Sequence, residues 1–316
     1  MKHSAMLRLC ILTCLLVTGL SSSGQQTLSP GEHYAPLNGV KIHYYVSGRG
    51  PVCLVTTPGW GPAIELYRKS LKPFEQYFTM VWYDSRFSGK STAPADTTRF
   101  ADQDLRADMD ALRLYLKQDK VWIMGHSGGG HQVLDYGIHH NDKLKGIIAI
   151  SSIAGFDSLR NAQYKILMDS RKSKPYYAKV NAVYSGKDGI KHGPDESLRL
   201  TMPFYFHDGD KAGRVEALGG LQINDKLDEY SGRAGFMGGY LFPELHKITV
   251  PTLVITGDDD FICDKVSQAD RIHANIASSD LIVVKDSGHF PWIEQPSQFF
   301  GETLQWVKKH TRDHGL

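Results

Sequence analysis

The sequence of 316 residues has no excess of charge, few cysteines and no internal repeat or low-complexity segment. The formal net charge is +2. Lys2 and Arg8 supply it, because removing them leaves 34 of the 36 basic residues against 34 acidic ones in residues 25–316. A neutral chain of this kind gives no reason to expect a nucleic acid or another polyanion as a partner.

Cysteine is scarce, with four residues in the whole chain. Cys10 and Cys14 lie in the first 24 residues, and Cys53 and Cys263 are far apart in the rest. Two cysteines exclude a disulfide framework, and no Cys/His spacing resembles a zinc site. The aspartate run at 258–260 lacks the alternating oxygen ligands and the later glutamate of a calcium loop. The sequence therefore predicts neither a metal nor a cofactor.

The chain begins with the pattern of a secretory signal. A positively charged start is followed by an apolar run from Leu9 to Leu20 and by small residues at 22–24. We therefore expect removal of residues 1–24 and export to a periplasm or the exterior. The apolar run is short for a membrane span, so stable membrane insertion of the mature chain is not expected. Lipoprotein anchoring at Cys14 is the less favoured alternative, because Leu12-Thr13 precede it where a lipoprotein has a small residue.

The rest of the chain alternates between apolar, strand-like runs and helical patterns. Asn38-Gly39 is a strong turn signal between two alternating segments, which predicts a hairpin at 33–47. The order strand, helix, strand, helix implies a mainly parallel sheet with right-handed crossovers. Further strands are predicted at 51–56, 80–84, 121–124, 144–150, 250–257 and 281–284, and helices at 66–78, 102–116, 264–276 and 297–310.

One strand ends at Gly125 and is followed by His126, Ser127 and three glycines, and then by a helical pattern. This is the G-x-S-x-G pattern, in which a serine occupies a strained turn between a strand and a helix. Gly125 and Gly129 supply the room for that turn, because a side chain there would meet the strand or the helix backbone. The free N–H groups of the helix N-terminus point at any oxyanion that forms. Ser127 is therefore the candidate nucleophile.

A serine hydroxyl needs a base, and the base needs an orienting acid. Gly257-Asp258-Asp259-Asp260 and Asp286-Ser287-Gly288-His289 each follow a predicted strand, so both reach the same edge of the sheet. The resulting chain order of Ser, Asp and His is the one that accompanies this serine turn. His289 is the candidate base, and the three aspartates compete for the role of the acid.

Two backbone N–H groups are expected to bind the oxyanion. One belongs to the residue after the nucleophile, Gly128. The other is expected in the loop after the third strand, where Pro58-Gly59-Trp60-Gly61-Pro62 lies, and we assign it to Trp60. The alternative for this loop is a plain Pro-Gly turn. The indole of Trp60 can also form a wall of the acyl pocket.

These residues resemble the α/β-hydrolase superfamily across essentially all of the mature chain, and within it the proline-iminopeptidase-like branch. The resemblance implies a mainly parallel, eight-stranded sheet flanked by helices, with a mostly helical cap. It favours Asp260 as the acid over Asp258 and Asp259, through the family motif G-x-x-D-x-x-C-P. The matched residues are Asp84, Arg86, Gly89 and Ser91 of D-x-R-G-x-G-x-S, Gly257, Asp260 and Cys263 of the acid motif, and the final Gly288-His289.

Three differences from this branch concern the substrate. The family's HGGPG is altered to the Pro58–Pro62 segment, which has lost the histidine. The serine turn, G-H-S-G-G, is closer to those of esterases and C–C hydrolases than to the branch's G-G-S-W-G. The glutamates that bind a substrate amine in the peptidases have no motif here. The candidates in or beside the predicted cap are Glu196, Glu216, Glu229 and Glu244.

The sequence thus predicts a signal peptide at 1–24, a hydrolase core at 25–154 and 245–316, and a mostly helical cap insertion at 155–244. The predicted function is a secreted serine hydrolase that cleaves an ester or amide of a small substrate or short peptide through an acyl-enzyme. Alternatives are a proline-iminopeptidase-type aminopeptidase, a C–C bond hydrolase, and a non-catalytic ligand-binding protein on the same fold. No oligomeric state is predicted.

Overall fold

The computed structural model describes residues 28–59, 61–224 and 237–312. The strands are β1 (Gly31–Leu37), β2 (Val40–Gly48), β3 (Val52–Thr56), β4 (Thr79–Tyr83), β5 (Val121–His126), β6 (Leu144–Ile150), β7 (Thr252–Gly257) and β8 (Ser279–Val284). They form one sheet in the order β1-β2-β4-β3-β5-β6-β7-β8. The first two pairings, β1 with β2 and β2 with β4, are antiparallel, and all the others are parallel. The predicted mainly parallel, eight-stranded sheet is confirmed.

The central strands are buried on both faces because their sequences are apolar throughout. Every residue of β3, β5 and β7 is buried. Separate apolar clusters cover the two faces, one built around Ile123 and the other around Trp122. This arrangement requires helices on both sides of the sheet and explains why these runs do not alternate with polar residues.

The hairpin predicted at 33–47 is formed by β1 and β2. Asn38 and Gly39 adopt φ values of 46° and 79°, and Leu37 pairs with Val40 across the turn. Two consecutive residues with positive φ form the turn that matches the twist of a two-stranded ribbon.

The helices are α1 (Glu65–Ser70), α2 (Asp102–Tyr115), α3 (Gly128–His140), α4 (Ser158–Arg171), α5 (Tyr177–Tyr184), α6 (Pro194–Thr201), α7 (Gly213–Ala217), α8 (Asp270–Asn275), α9 (Pro291–Glu294) and α10 (Pro296–Arg312). Short 3₁₀ segments supplement them. Helices α4 to α7 lie between β6 and β7, within the segment predicted as a cap. No helix in the described parts of the chain is long and apolar enough to cross a membrane.

The helix predicted at 264–276 is divided into a π-helical turn, Lys265–Ala269, and α8. The side chain of Asp264 caps the start of this turn by accepting from the Ser267 N–H. The wider turn places Gln268 in the interior, where its amide bonds the backbone at Ala154 and Gly155. These two hydrogen bonds join the chain after β6 to the segment that follows the Asp260 loop. A regular helical pattern in the sequence does not reveal such a π-turn.

The motif Asp84-x-Arg86 has a structural part in this fold. Both side chains are about 1% exposed. Arg86 donates to both oxygens of Asp108, at 2.7 Å each, so the buried ion pair is bidentate. Asp84 accepts from the backbone N–H groups of Ile64 and Lys90 and lies 2.6 Å from His43. These contacts hold the loop after β4 against its neighbours, since removing one partner of such a pair leaves a buried charge uncompensated.

Candidate active site

Ser127 occupies a strained turn between β5 and α3. Its φ is 57° and its ψ is −119°, which is an unfavourable backbone conformation for a residue with a side chain. A Cβ atom on Gly125 would overlap the carbonyl of Gly129, so the strand and the helix approach too closely for any other residue. The Ser127 N–H donates to the Ile150 carbonyl at 3.0 Å, which fixes the turn to the next strand. The geometry predicted from G-x-S-x-G is therefore present.

Asp260 and His289 form a buried hydrogen-bonded pair. The Nδ1 atom of His289 lies 2.8 Å from Oδ2 of Asp260, and both residues are at most 3% exposed. Burial raises the pKa of Asp260, but the charge and hydrogen bond of His289 and the N–H groups of Ile262 and Cys263 outweigh it, so the pKa lies below its usual value. The carboxylate is ionised and can only accept. The proton between the two residues is therefore on Nδ1, and Nε2 of His289 is left as the basic nitrogen.

The other two aspartates of the run have different partners. Asp258 accepts from the Ser287 N–H at 3.1 Å. Asp259 pairs with Arg171 at 3.1 Å and with His207 at 3.0 Å, so it joins the loop after β7 to the segment between β6 and β7. Of the three competing carboxylates, Asp260 alone contacts His289 among the hydrogen bonds of the described residues.

The loop that carries His289 is fixed by its backbone. The His289 N–H donates to the Tyr205 carbonyl at 2.7 Å. A Cβ atom on Gly288 would overlap that same carbonyl, which explains the glycine before the histidine. The preceding N–H, of Gly288, donates to the buried carboxylate of Glu294 at 2.8 Å. Glu294 also accepts from the backbone N–H groups of His207 and Asp208, so it joins this loop to the segment between β6 and β7.

His126, the residue before the nucleophile, supports His289 from the other side. Its Nε2 atom lies 2.9 Å from the His289 carbonyl, and its Nδ1 atom lies 3.0 Å from the Tyr67 hydroxyl. A carbonyl can only accept, so Nε2 carries the proton and Nδ1 accepts from Tyr67. Burial, followed by the charge of His289, holds the pKa of His126 well below its usual value. His126 is therefore a neutral ring in a fixed tautomer beneath the catalytic candidates.

Ser127 and His289 line the same cavity, which has a volume of about 240 Å³ and mostly apolar walls. Its outer walls include Phe156, Leu198 and Tyr205, which lie between β6 and β7. A larger and more open cavity, of about 560 Å³, lies beside polar residues of a different surface and includes neither Ser127 nor His289. The smaller cavity is the one that a substrate must enter to meet the serine.

Of the two candidate oxyanion donors, Gly128 lies in the described part of the chain and Trp60 does not. The Gly128 N–H is the first of α3, where backbone N–H groups have no partner within the helix. The chain before Trp60 is held over α3, because Oγ1 of Thr56, the last residue of β3, donates to the Gln132 side chain at 2.8 Å and the Gln132 amide donates to the Thr57 carbonyl at 3.4 Å. Gly129 also lies close to the carbonyl of Thr56. The loop after β3 and the start of α3 are thus adjacent.

Cys263 lies beside the same pair of residues. The Sγ atom of Cys263, a carboxylate oxygen of Asp260 and a ring nitrogen of His289 all lie within 4.8 Å of one another. Metal binding by cysteine requires the thiolate. Burial, followed by the charge of Asp260, raises the pKa of this thiol well above its usual value. The hydrogen bond between Asp260 and His289 already engages Oδ2 and Nδ1, so the chemistry of the cluster fits a hydrogen-bonded pair better than a metal site.

Three residues of this site were missed by the sequence analysis. The serine motif gives His126 no role of its own, although a titratable residue beside the nucleophile is a usable signal. Tyr67 in α1 bonds His126, and Glu294 in α9 bonds the Gly288 N–H, and no motif covers either residue. Their contacts depend on the packing of distant segments, which a single sequence does not encode in a readable pattern.

Comparison with known proteins agrees with this architecture. The sequence profile of the alpha/beta hydrolase fold matches residues 52–296. A proline iminopeptidase of Saccharolobus solfataricus is 25% identical over 300 residues, covering 87% of this chain and 92% of the relative. The 2-hydroxy-6-oxo-6-(2'-aminophenyl)hexa-2,4-dienoic acid hydrolase of Metapseudomonas resinovorans is 24% identical over 283 residues, covering 88% and 91%. An alpha/beta fold hydrolase from Bacillus anthracis superposes with a TM-score of 0.70 at 18% identity, covering 88% of this chain and 98% of that one.

The fold and the serine turn define a hydrolytic enzyme of the α/β class, and the profile match covers more than half of the chain. The chain belongs to the alpha/beta hydrolase fold family. The protein is thus a serine hydrolase that is similar to the proline-iminopeptidase-like branch, as the sequence resemblance indicated.

The buried state of His126 leads to a testable pH dependence. Its pKa lies below the ordinary value of about 6.5, so the unfolded chain binds a proton there that the folded protein does not. The free energy of unfolding should therefore fall as the pH is lowered from 7 towards 5, by at most about 1.4 kcal/mol per pH unit from this group. His126→Gln removes the titration and keeps a donor for the His289 carbonyl.

Urea unfolding of both proteins at several pH values measures this effect. At pH 7 the wild type should be the more stable protein, and the difference should shrink as the pH falls, because only the wild type loses the contribution of a neutral His126. A difference that stays constant from pH 7 to pH 5 would show that His126 is not the group involved.

Proposed function

We propose that the protein hydrolyses a small ester through an acyl-enzyme, with Ser127 as nucleophile, His289 as general base and Asp260 as the orienting acid. One observation carries this proposal. The strained Ser127 and the basic ring of His289 line one cavity, and a buried, ionised Asp260 holds that ring in the required tautomer. Acyl transfer needs a neutral imidazole nitrogen within reach of a serine hydroxyl, and the shared cavity supports that arrangement.

The reaction proceeds in two balanced steps. His289 takes the proton of Ser127 as the serine oxygen bonds to the ester carbonyl, and then returns that proton to the leaving alcohol. Water next gives a proton to His289 and adds its oxygen to the acyl carbon. The bond between the Ser127 oxygen and the acyl carbon then breaks, His289 returns the proton to Ser127, and the carboxylic acid is released. Asp260 stays ionised throughout and stabilises the charged ring.

The oxyanion of each tetrahedral intermediate needs donors aimed at the place where charge develops. We assign one to the Gly128 N–H at the start of α3 and the other to the Trp60 N–H in the loop after β3. The contact between Thr56 and Gln132, which holds this loop over α3, supports the assignment. The free N–H groups at the N-terminus of α3 also contribute a positive electrostatic potential at the oxyanion.

The positions of the cap glutamates favour an ester over a substrate with a free amine. Glu196 lies beside His192, and Glu244 pairs with Lys247. Glu216 lines the larger cavity. None of these three lines the cavity that holds Ser127. Glu229 lies outside the described residues. A buried ammonium group needs a carboxylate to offset its desolvation, so the described walls suit a substrate without one.

The second candidate is an aminopeptidase, and the resemblance to proline iminopeptidases favours it. The relative whose name specifies a dienoic acid substrate supports the third reading, a C–C bond hydrolase. Both would use the same serine, histidine and acid. They differ from an esterase in the groups of the cavity that bind the rest of the substrate.

The proposal also assigns a cap over the site and export of the chain. Residues 155–244 act as the cap of the site, which the positions of Leu198 and Tyr205 in the cavity wall support. Export of the chain rests on the signal-like pattern at 1–24, which lies outside the described residues.

The nucleophile is tested by Ser127→Ala. The variant should fold and should lose both covalent labelling by a fluorophosphonate and hydrolysis of p-nitrophenyl acetate, with turnover reduced on the order of a million-fold. Ser151→Ala is a matched control, because Ser151 is buried nearby and does not line the cavity. Labelling retained by the Ser127 variant would refute the assignment.

The acid is tested by a pair of isosteric changes. Asp260→Asn should lower kcat on the order of ten-thousand-fold, because the amide no longer fixes the tautomer of His289. Asp258→Asn should have a mild effect, since its oxygen accepts only the Ser287 N–H. The measurement is kcat for an ester with both proteins shown to be folded, and the reverse ranking would move the role of the acid to Asp258.

The substrate class is tested by comparing p-nitrophenyl acetate with proline p-nitroanilide. Each kcat/KM is divided by the uncatalysed rate constant, because activated esters react easily. The ester should show the larger ratio, since no described carboxylate faces the cavity. A larger ratio for the anilide, lost selectively on changing one cap glutamate to Gln, would establish the aminopeptidase instead.

A further inference from the structure

One fixed positive charge faces the cavity that holds Ser127. Arg160, in the first turn of α4, is part of the cavity wall. The other walls are mainly apolar and aromatic, and no acidic side chain of the described residues is among them. His126 in the same wall is neutral because burial lowers its pKa. The charge of Arg160 is therefore not balanced within the cavity.

The guanidinium of Arg160 has unused donors. Its Nε is buried without a hydrogen-bond partner, and one terminal nitrogen makes a long contact of 3.4 Å to the Ile262 carbonyl. Among the described residues it forms no ion pair with a carboxylate. Arg171, on the same helix, shows the usual alternative, because it pairs with Asp259 and also donates to three backbone carbonyls. The other terminal nitrogen of Arg160, Nη1, makes no hydrogen bond among the described residues and is not one of the buried unpartnered atoms, so it is the donor left open to a ligand.

Neighbouring acids are already committed to other partners. Asp260 accepts from His289 and from two backbone N–H groups. Asp264 is close enough for the charge of Arg160 to act on it, but its oxygens bond the N–H and hydroxyl of Ser267. Neither carboxylate turns to Arg160. Because Arg160 lines the cavity, a bound substrate is the available partner for its terminal nitrogens.

The guanidinium is also held in place without an ion pair. Its centre lies 4.7 Å from the ring centroid of Tyr164 and 5.3 Å from that of Phe156. The hydroxyl of Tyr164 is bonded in turn to that of Tyr184 at 2.9 Å. Stacking of this kind fixes the plane of an arginine, and a fixed planar fork matches the two oxygens of a carboxylate.

We propose that Arg160 forms an anion subsite, and that the substrate is a short ester that carries a free carboxylate. The inference deepens the proposed esterase function and rests on it. The carboxylate binds the Arg160 fork while the ester carbonyl lies at Ser127. A cavity of about 240 Å³ limits the substrate to a short chain, such as the monoester of a small dicarboxylic acid.

Two pairs of simple esters test the subsite, with proton release followed in a pH-stat at pH 7. Monomethyl glutarate is compared with methyl pentanoate, in which a methyl group replaces the carboxylate on the acyl side. Acetylglycolate is compared with ethyl acetate, in which a methyl group replaces the carboxylate on the alcohol side. The wild type should prefer the charged member of at least one pair by about tenfold to a hundredfold in kcat/KM, the range of charge-assisted hydrogen bonds.

Variants assign the preference to this side chain. Arg160→Gln should remove the preference in the pair that shows it, and Arg160→Lys should keep part of it, because the charge remains and the planar fork is lost. Arg199→Gln is the matched control, since Arg199 is exposed on α6 and does not line the cavity. It should keep the full preference.

The outcomes separate this inference from the proposed function. If fluorophosphonate labels Ser127 and the neutral esters are hydrolysed, but neither pair shows a preference or Arg160→Gln leaves the preference unchanged, the anion subsite is wrong and the esterase stands. If Ser127 is not labelled and no ester is hydrolysed, the proposed function itself fails. A preference that disappears in Arg160→Gln and persists in Arg199→Gln supports the subsite.

Discussion

The site depends on how closely the end of β5 approaches the start of α3. Gly125 and Gly129 meet without space for a side chain between them, and Gly129 also lies against the Thr56 carbonyl of β3. This contact fixes three things together: the strained Ser127, the first N–H groups of α3 and the loop after β3. A wider separation would relax the serine turn and move the oxyanion donors away from it. The strain at Ser127 is maintained because the two central strands and the helix are all buried.

The histidine is held independently, by contacts from three directions. Asp260 binds its ring, His126 binds its carbonyl, and the Tyr205 carbonyl binds its N–H. Tyr205 belongs to the segment between β6 and β7, as do the His207 and Asp208 N–H groups bound by Glu294. The segment that walls the cavity is thus bonded to the same loop as the proposed base. A change in the position of this segment would act on His289 through its backbone.

Much of this arrangement could be predicted from the sequence, because its causes are local. The serine turn is marked by adjacent glycines, the hairpin by Asn38-Gly39, and the central strands by continuous apolar runs. Asp260 could be preferred over its neighbours only through a family resemblance, because the three aspartates differ in what they meet across the fold. The π-turn before α8, the contact of Tyr67 with His126 and the contact of Glu294 with the Gly288 N–H arise from tertiary packing. The motif residues Asp84 and Arg86, which the sequence marks only as matches to a family motif, anchor a loop through buried contacts.

The charges around the cavity bear on which substrates the enzyme can accept. Asp260 is balanced by hydrogen bonds from His289 and two backbone N–H groups. Arg160 has no such balance among the described residues. A substrate ammonium in the same apolar space would meet a cation without a carboxylate to offset its desolvation, and at low effective dielectric that repulsion is large. A substrate carboxylate would be attracted by the same field and would satisfy donors that are otherwise unpaired. The family fold permits either substrate, so specificity in this enzyme follows from the few polar groups that its cavity retains.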